Sequence, residues 1–194
     1  MKWKRIELAL LAGVMACMVL AGNARAGEEI AQKLVRLHVI ANSDSAEDQA
    51  LKLKVRDAVL RESERLGLDK TMGEAECSQI CEAAQCIVNE NGYTYTVTAE
   101  RCRMYFDTRV YQGFALPAGQ YDAVRVIIGE GKGRNWWCVM FPPLCTGATQ
   151  QEVEAIAQQA GLTEDEIGFI SGNGTKYVVR FKLTELWEKL KAWL

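Results

Sequence analysis

The chain has 194 residues, 23 basic and 25 acidic side chains, a net charge of −2, and hydrophobic residues at 49% of positions. Residues 1–26 hold Lys2, Lys4, Arg5 and Arg25 against the single acid Glu7, so the remaining 168 residues carry −5. That balance lacks the clustered lysine and arginine that displace counterions from phosphate, and excludes nucleic acid as the expected partner.

The first element reads as an export signal. A basic start, Met1-Lys2-Trp3-Lys4-Arg5, precedes an apolar run from Leu8 to Ala21, and Ala24-Arg25-Ala26 offers small residues at the −3 and −1 positions of a cleavage site. The expectation is a signal peptide over 1–26, removed after Ala26, and a single domain over 27–194. The apolar run is shorter than the roughly 20 residues that span the hydrocarbon core, which makes retention as an uncleaved N-terminal anchor the second reading. Val14-Met15-Ala16-Cys17 fits a lipobox badly. No later stretch is apolar for long enough to span a bilayer, so the exported part is expected to be soluble, with peripheral membrane contact at most. Neither an internal repeat nor a Pro/Ser-rich linker divides it, and its length suffices for one core.

Val35 to Ala41 has the composition of a strand and runs into the turn signal Asn42-Ser43-Asp44-Ser45. A helix follows, with Ser45 and Asp48 spaced as a capping-box variant, an apolar stripe of Leu51, Val55, Ala58, Val59 and Leu66, and Gly67 at its end. A second helix is predicted over 74–90, with Cys77, Ile80, Cys81, Ala84, Ile87 and Val88 on one face. After Asn91-Gly92 the pattern alternates from Tyr93 to Glu100 and then changes phase at Arg101, which predicts a bulge or break there.

Strands over 121–128 and 136–141 flank a glycine-rich connection. The second is apolar on both faces, predicting a central position in the sheet, and ends at Pro142-Pro143. Thr149 with Glu152 and Thr163 with Glu166 are capping boxes for two further helices. A strand over 177–181 and an amphipathic helix carrying Leu183, Leu186, Trp187, Leu190 and Leu194 complete the pattern. Helices, then a block of strands, then helices predict an α+β fold, a mixed or antiparallel central sheet with flanking helices.

Several constellations bear on chemistry. Six cysteines follow Ala26: Cys77, Cys81, Cys86, Cys102, Cys138 and Cys145. Cys77 and Cys81 lie on an apolar stripe and read as core, Cys86 points away from it and leaves a pairing with Cys102 open, and their spacing is not that of a zinc site. Two prolines between Cys138 and Cys145 reverse the chain, so a disulfide between them is expected, with buried free thiols as the alternative. Gly129-Glu130-Gly131-Lys132-Gly133 lacks the Gly-Lys-Ser/Thr ending of a phosphate loop and reads as a flexible hairpin loop. His38 is the sole histidine. A cysteine hydrolase would have to combine it with Cys138 as nucleophile and Asp44 as orienter, although a structural histidine is the stronger reading. Trp136 and Trp137 must point to opposite faces of their strand, so either both faces are covered or one ring is exposed as an anchor for a protein partner.

Two blocks carry a family resemblance. Leu37-His38-Val39-Ile40-Ala41-Asn42-Ser43-Asp44-Ser45 with Glu47 to Asp57 is the first, and Gly129 to Cys145, including Arg134-Asn135-Trp136-Trp137, is the second. With the chain from about Leu34 to Phe181, they resemble the stage II sporulation protein R family. Thr146-Gly147-Ala148 departs from the more apolar continuation expected of that family.

The resemblance implies intercellular signalling in endospore formation. Family members are exported from the forespore into the space between the forespore and mother-cell membranes. There they activate a membrane-embedded aspartic protease of the mother cell, which processes the precursor of a sporulation sigma factor. It also implies an activator rather than an enzyme, with no cofactor, metal or small-molecule substrate. The partner-contacting residues are then expected within the two blocks: His38, Asn42, Ser43, Asp44, Asp48, Arg134, Asn135, Trp136 and Trp137.

Overall fold

Strand β1 (Val35–Ile40) directs Val35, Leu37 and Val39 to one side of a sheet and Arg36, His38 and Ile40 to the other, and all but Ile40 are buried. A strand is buried in this way only when chain covers both of its faces. The computed structural model describes residues 2–146 and 149–171, and surrounds β1 with five helices and five further strands among those residues. In chain order they are α1 (Lys2–Ala31), β1, α2 (Ala46–Arg65), α3 (Glu74–Glu90), β2 (Val97–Phe106), β3 (Arg109–Val110), β4 (Ala115–Leu116), β5 (Gly119–Ile128), β6 (Asn135–Phe141), α4 (Gln150–Gln159) and α5 (Glu164–Ile170). The strand and helix expected over 177–181 and 183–194 lie outside the described residues.

The main sheet has the order β2-β5-β1-β6. β1 is parallel to β5 and antiparallel to β6, and β2 is antiparallel to β5, so the sheet is mixed and the fold α+β, as expected. Val35, Leu37, Val39, Val124, Val126 and Ile128 form one core with Leu51, Val55 and Val59 of α2 and Ile80, Ala84 and Val88 of α3. On the opposite face Phe106, Tyr121, Ala123 and Val139 pack with the end of α1, the β3–β4 pair, α4 and α5.

This two-sided covering explains where the sequence pattern misleads. β2 pairs with β5 in one unbroken register from Val97 to Phe106, so the predicted bulge at Arg101 is absent. The apolar phase changes because Val97 and Ala99 join the core under α2 and α3, whereas Met104 and Phe106 join the core on the other face. Among the described residues β6 lies at the sheet edge instead of the centre. Its two-sided apolarity reflects a core on each face, not two strand neighbours. The glycine-rich connection is not a hairpin loop either, since β5 and β6 are separated by β1 and the connection crosses the end of that strand.

Local signals are read more directly. Thr149 and Thr163 each accept from the backbone N–H three residues on, and Glu152 and Glu166 return the bond, closing both boxes. Ser45 does half of this: its hydroxyl accepts from Asp48 N–H at 3.1 Å, while the Asp48 carboxylate turns to other partners. α1 runs unbroken through Ala24-Arg25-Ala26, and its last turn is docked. Ile30 and Ala31 are buried, and Gly27 lies so near Pro117 that a Cβ would sit 3.2 Å from the ring. Further back, Leu10, Leu11, Met15, Met18 and Val19 are each more than 60% exposed. Among the described residues no helix is long and apolar enough to cross a membrane.

Candidate functional site

Parallel neighbours β1 and β5 end side by side, and the segments leaving them meet there. Residues 41–45 lead from β1 into α2, and residues 129–134 cross the end of β1 on their way to β6. These are the centres of the two sequence blocks. Lys132 N–H donates to Asn42 O at 3.1 Å, Gly133 N–H to Ala41 O at 2.9 Å, Glu130 N–H to Asn42 Oδ1 at 3.0 Å, and Arg134 N–H to Asp44 Oδ1 at 2.7 Å. The crossing segment is thus pinned along its length. Glycine is required for the fit: at Gly133 a Cβ would overlap the Ser43 carbonyl, and at Gly129, with φ of 57°, it would overlap the Asn42 side chain.

Beneath the crossing lies a buried polar group. Asp48 accepts from Asn42 Nδ2 at 2.9 Å and Ser43 Oγ at 2.6 Å, and the Tyr95 hydroxyl also reaches it. Burial pushes its carboxyl up, but the hydrogen bonds from Ser43, Asn42 and Tyr95 outweigh this and leave it below the ordinary carboxylate range. Lys52, one turn further along α2, donates to Gln49 Oε1 at 2.6 Å and to Arg134 O at 2.9 Å. Burial, aided by the Arg134 charge, lowers its pKa. Gln49 Nε2 in turn holds Ser43 O at 2.8 Å. Gln49, Lys52 and Tyr95 were not singled out by sequence reasoning. The legible signal was Asp48 and Lys52, an i,i+4 polar pair beside the apolar stripe.

The expected contact residues therefore divide. Asp48 is buried and holds the corner together, with Asn42 and Ser43 half-buried above it. Asp44 and Arg134 are exposed and face one another, Nε to Oδ1, at 3.6 Å. Asn135 is exposed, and Trp136 is 36% exposed with the Arg56 guanidinium 4.4 Å over its ring. Trp137 points to the opposite face, half-buried, and stacks on His38 with ring centroids 3.8 Å apart. His38 itself is buried, and neither ring nitrogen makes a hydrogen bond of ordinary geometry. Burial lowers its pKa, opposed by the Asn135 side chain, which faces the ring and favours the protonated form.

Strand alternation also decides the hydrolase reading. His38 is registered opposite Trp137, and Cys138 opposite Leu37, so the side chains of His38 and Cys138 project from opposite faces. Asp44 is committed to Arg134. The His38–Cys138 dyad with Asp44 is not assembled. Cys138 meets Cys145 instead, thiol to thiol, and both are free thiols in the structure. An open cleft of about 880 Å³ between the end of α1 and α5, lined in part by Ala26, Lys33 and Asp165, shares no residue with the corner.

The two distinctive blocks of this α+β domain converge on one pinned, partly exposed corner, and comparison with known proteins ties the domain to sporulation. Residues 31–151, more than half of the chain and including both blocks, match the family described as Stage II sporulation protein R. The Stage II sporulation protein R of Bacillus subtilis (strain 168) is 33% identical over 147 residues, 70% of this chain and 66% of that protein. The chain thus spans just under two thirds of that relative's length. It belongs to the stage II sporulation protein R family. No solved structure matches it significantly.

Proposed function

We propose that this protein is an exported signal of endospore formation that activates a membrane-embedded aspartic protease by binding it, and so triggers processing of a sigma factor precursor. The observation that carries this reading is the convergence of the two family blocks on one surface. Asp44, Arg134, Asn135 and Trp136 are presented there by a scaffold of hydrogen bonds, part-buried around Asp48 and Lys52 and exposed between Arg134 and Asp44. A rigid aromatic anchor beside charged groups is the composition of a binding hot spot. Activation requires only that the protease's active arrangement bind this surface more tightly than its inactive one. Export through the N-terminal segment is supported by α1, where Leu10, Leu11, Met15, Met18 and Val19 are exposed apolar side chains.

The test is coexpression of the protease, its precursor substrate and this chain in a host that does not sporulate. Cleavage is expected only when all three are present, and Trp136→Ala or Arg134→Glu should reduce it at least ~10-fold, as loss of a hot-spot contact does, at unchanged thermal stability. Precursor cleavage without this chain would end the proposal.

A further inference from the structure

The crossing segment has a neighbour outside both sequence blocks. Gly129, its first residue, donates its N–H to Thr96 O at 2.9 Å, so residues 93–96, which lead from α3 into β2, close the corner on the β2 side. α3 fixes that segment in place. The Gln85 side chain lies along the backbone as a further strand would: its Nε2 donates to Tyr95 O at 2.9 Å, and its Oε1 accepts from Val97 N–H at 2.8 Å. A bond from Nε2 to Asn89 Oδ1 at 3.0 Å steadies the amide, and the Cys81 thiol donates to Val97 O at 3.3 Å. The outer backbone groups at Tyr95 and Val97 are thereby taken, and this stretch of the sheet edge is closed to strand addition. The turn before it is tied to α2, since Lys54 Nζ donates to Asn91 Oδ1 at 2.5 Å and Asn91 Nδ2 to Ile87 O at 2.8 Å.

What this held segment presents is neutral. Residues 91–99 contain no charged side chain, in a chain where 25% of residues are charged. Thr94 and Thr96 are exposed, and Tyr93 and Tyr95 are half-buried with ring centroids 5.2 Å apart. The charges on the adjoining crossing segment cancel one another locally: Lys132 pairs with Glu130 at 2.7 Å, and Arg134 faces Asp44 at 3.6 Å. Tyrosine rings and threonine hydroxyls on a fixed backbone give contact area and hydrogen bonds at little ordering cost, which suits a polypeptide. Without net positive charge the same surface offers little to a phosphate or an anionic lipid.

We infer that residues 93–96 form a third wall of the partner-binding corner, that its occupant is an uncharged polypeptide segment of the protein partner, and that Gln85 is the positioning residue holding the wall against the crossing segment. The inference rests on the binding role proposed above and names the chemistry of the contact.

Gln85 is tested in the full-length protein alone. Gln85→Leu keeps the bulk and removes both backbone bonds, so hydrogen exchange at the Gly129 amide should quicken roughly tenfold while the Ala157 amide of α4 keeps its rate. Gln85→Glu retains the acceptor, loses the donor and should fall between. An unchanged rate at Gly129, or equal acceleration at Ala157, would overturn the positioning role. The contact is tested by titrating the purified full chain onto membranes that carry the protease and its precursor substrate. Thr96→Lys and Thr96→Glu should each raise the amount giving half-maximal cleavage roughly tenfold at an unchanged thermal midpoint, because either sign places an unpaired charge in a neutral contact. Gln158→Lys, on the exposed side of α4, should leave that amount unchanged. A lower requirement with either sign would reveal a charged partner segment and overturn the inference, and no change in both variants would remove the third wall while leaving the proposed function standing. Wild-type protein that triggers no cleavage would strike the proposed function and the wall with it.

Discussion

His38 shows what burial does to a single titratable side chain. The ring is stacked on Trp137 and lacks ordinary hydrogen bonds, so folding favours its neutral form and its pKa falls. In the unfolded chain it takes up a proton below about pH 6.5. Between that value and the lower folded one, the unfolded state binds more protons, so stability is full above about pH 6.5 and falls as the solution is acidified through that window. Urea denaturation from pH 8 to pH 5 should show this slope, and His38→Phe, which keeps the stack and removes the titration, should flatten it. An identical slope in both proteins would mean that another group is responsible. Only part of this residue's role was legible in the sequence. Its place on a strand face with Arg36 could be read from alternation, but its partner could not, because nothing local says that Trp137 lies opposite.

Among the elements, the crossing segment 129–134 is where fold and site are joined. Its glycines permit an approach to residues 42–44 that no other side chain allows. Gly133→Ala must push the Ser43 carbonyl aside and is expected to cost about 1–3 kcal/mol, the usual range for overpacking, read as a lower urea midpoint with unchanged slope. An unaltered midpoint would show that the segment is not held as tightly as its hydrogen bonds suggest. The helices were legible because their signals are local: Thr149 with Glu152, Thr163 with Glu166, and the stripe from Cys77 to Val88 all appear where expected. The sheet was less so. Strand order is set by partners far apart in the chain, and nothing around Gly129 announces that β1 lies between β5 and β6. The two-residue strands β3 and β4 are too short to leave a pattern.

At the scale of the whole molecule, the docked end of α1 separates what belongs to the domain from what does not. A chain beginning at Gly27 keeps Ile30, Ala31 and Leu34 and should unfold within about 0.5 kcal/mol of the full chain, as changes away from the core usually do. One beginning at Leu34 loses Ile30 and Ala31 and should be less stable by about 3 kcal/mol, the cost typical of emptying a large aliphatic site, with a thermal midpoint roughly 10 °C lower. Equal midpoints for the two would show that residues 27–33 add nothing to the domain and detach α1 from the fold.

The position of β1 also governs timing. It is the earliest strand in the chain, yet the strands on its two sides are the last of its sheet, the second of them ending at Phe141. As the polypeptide emerges from the ribosome, its central strand has no sheet partner until β5, which ends 88 residues after Ile40, has appeared. Such long-range pairing slows folding. A chain of this topology stays uncompacted for most of its synthesis, a property that would suit the export proposed above.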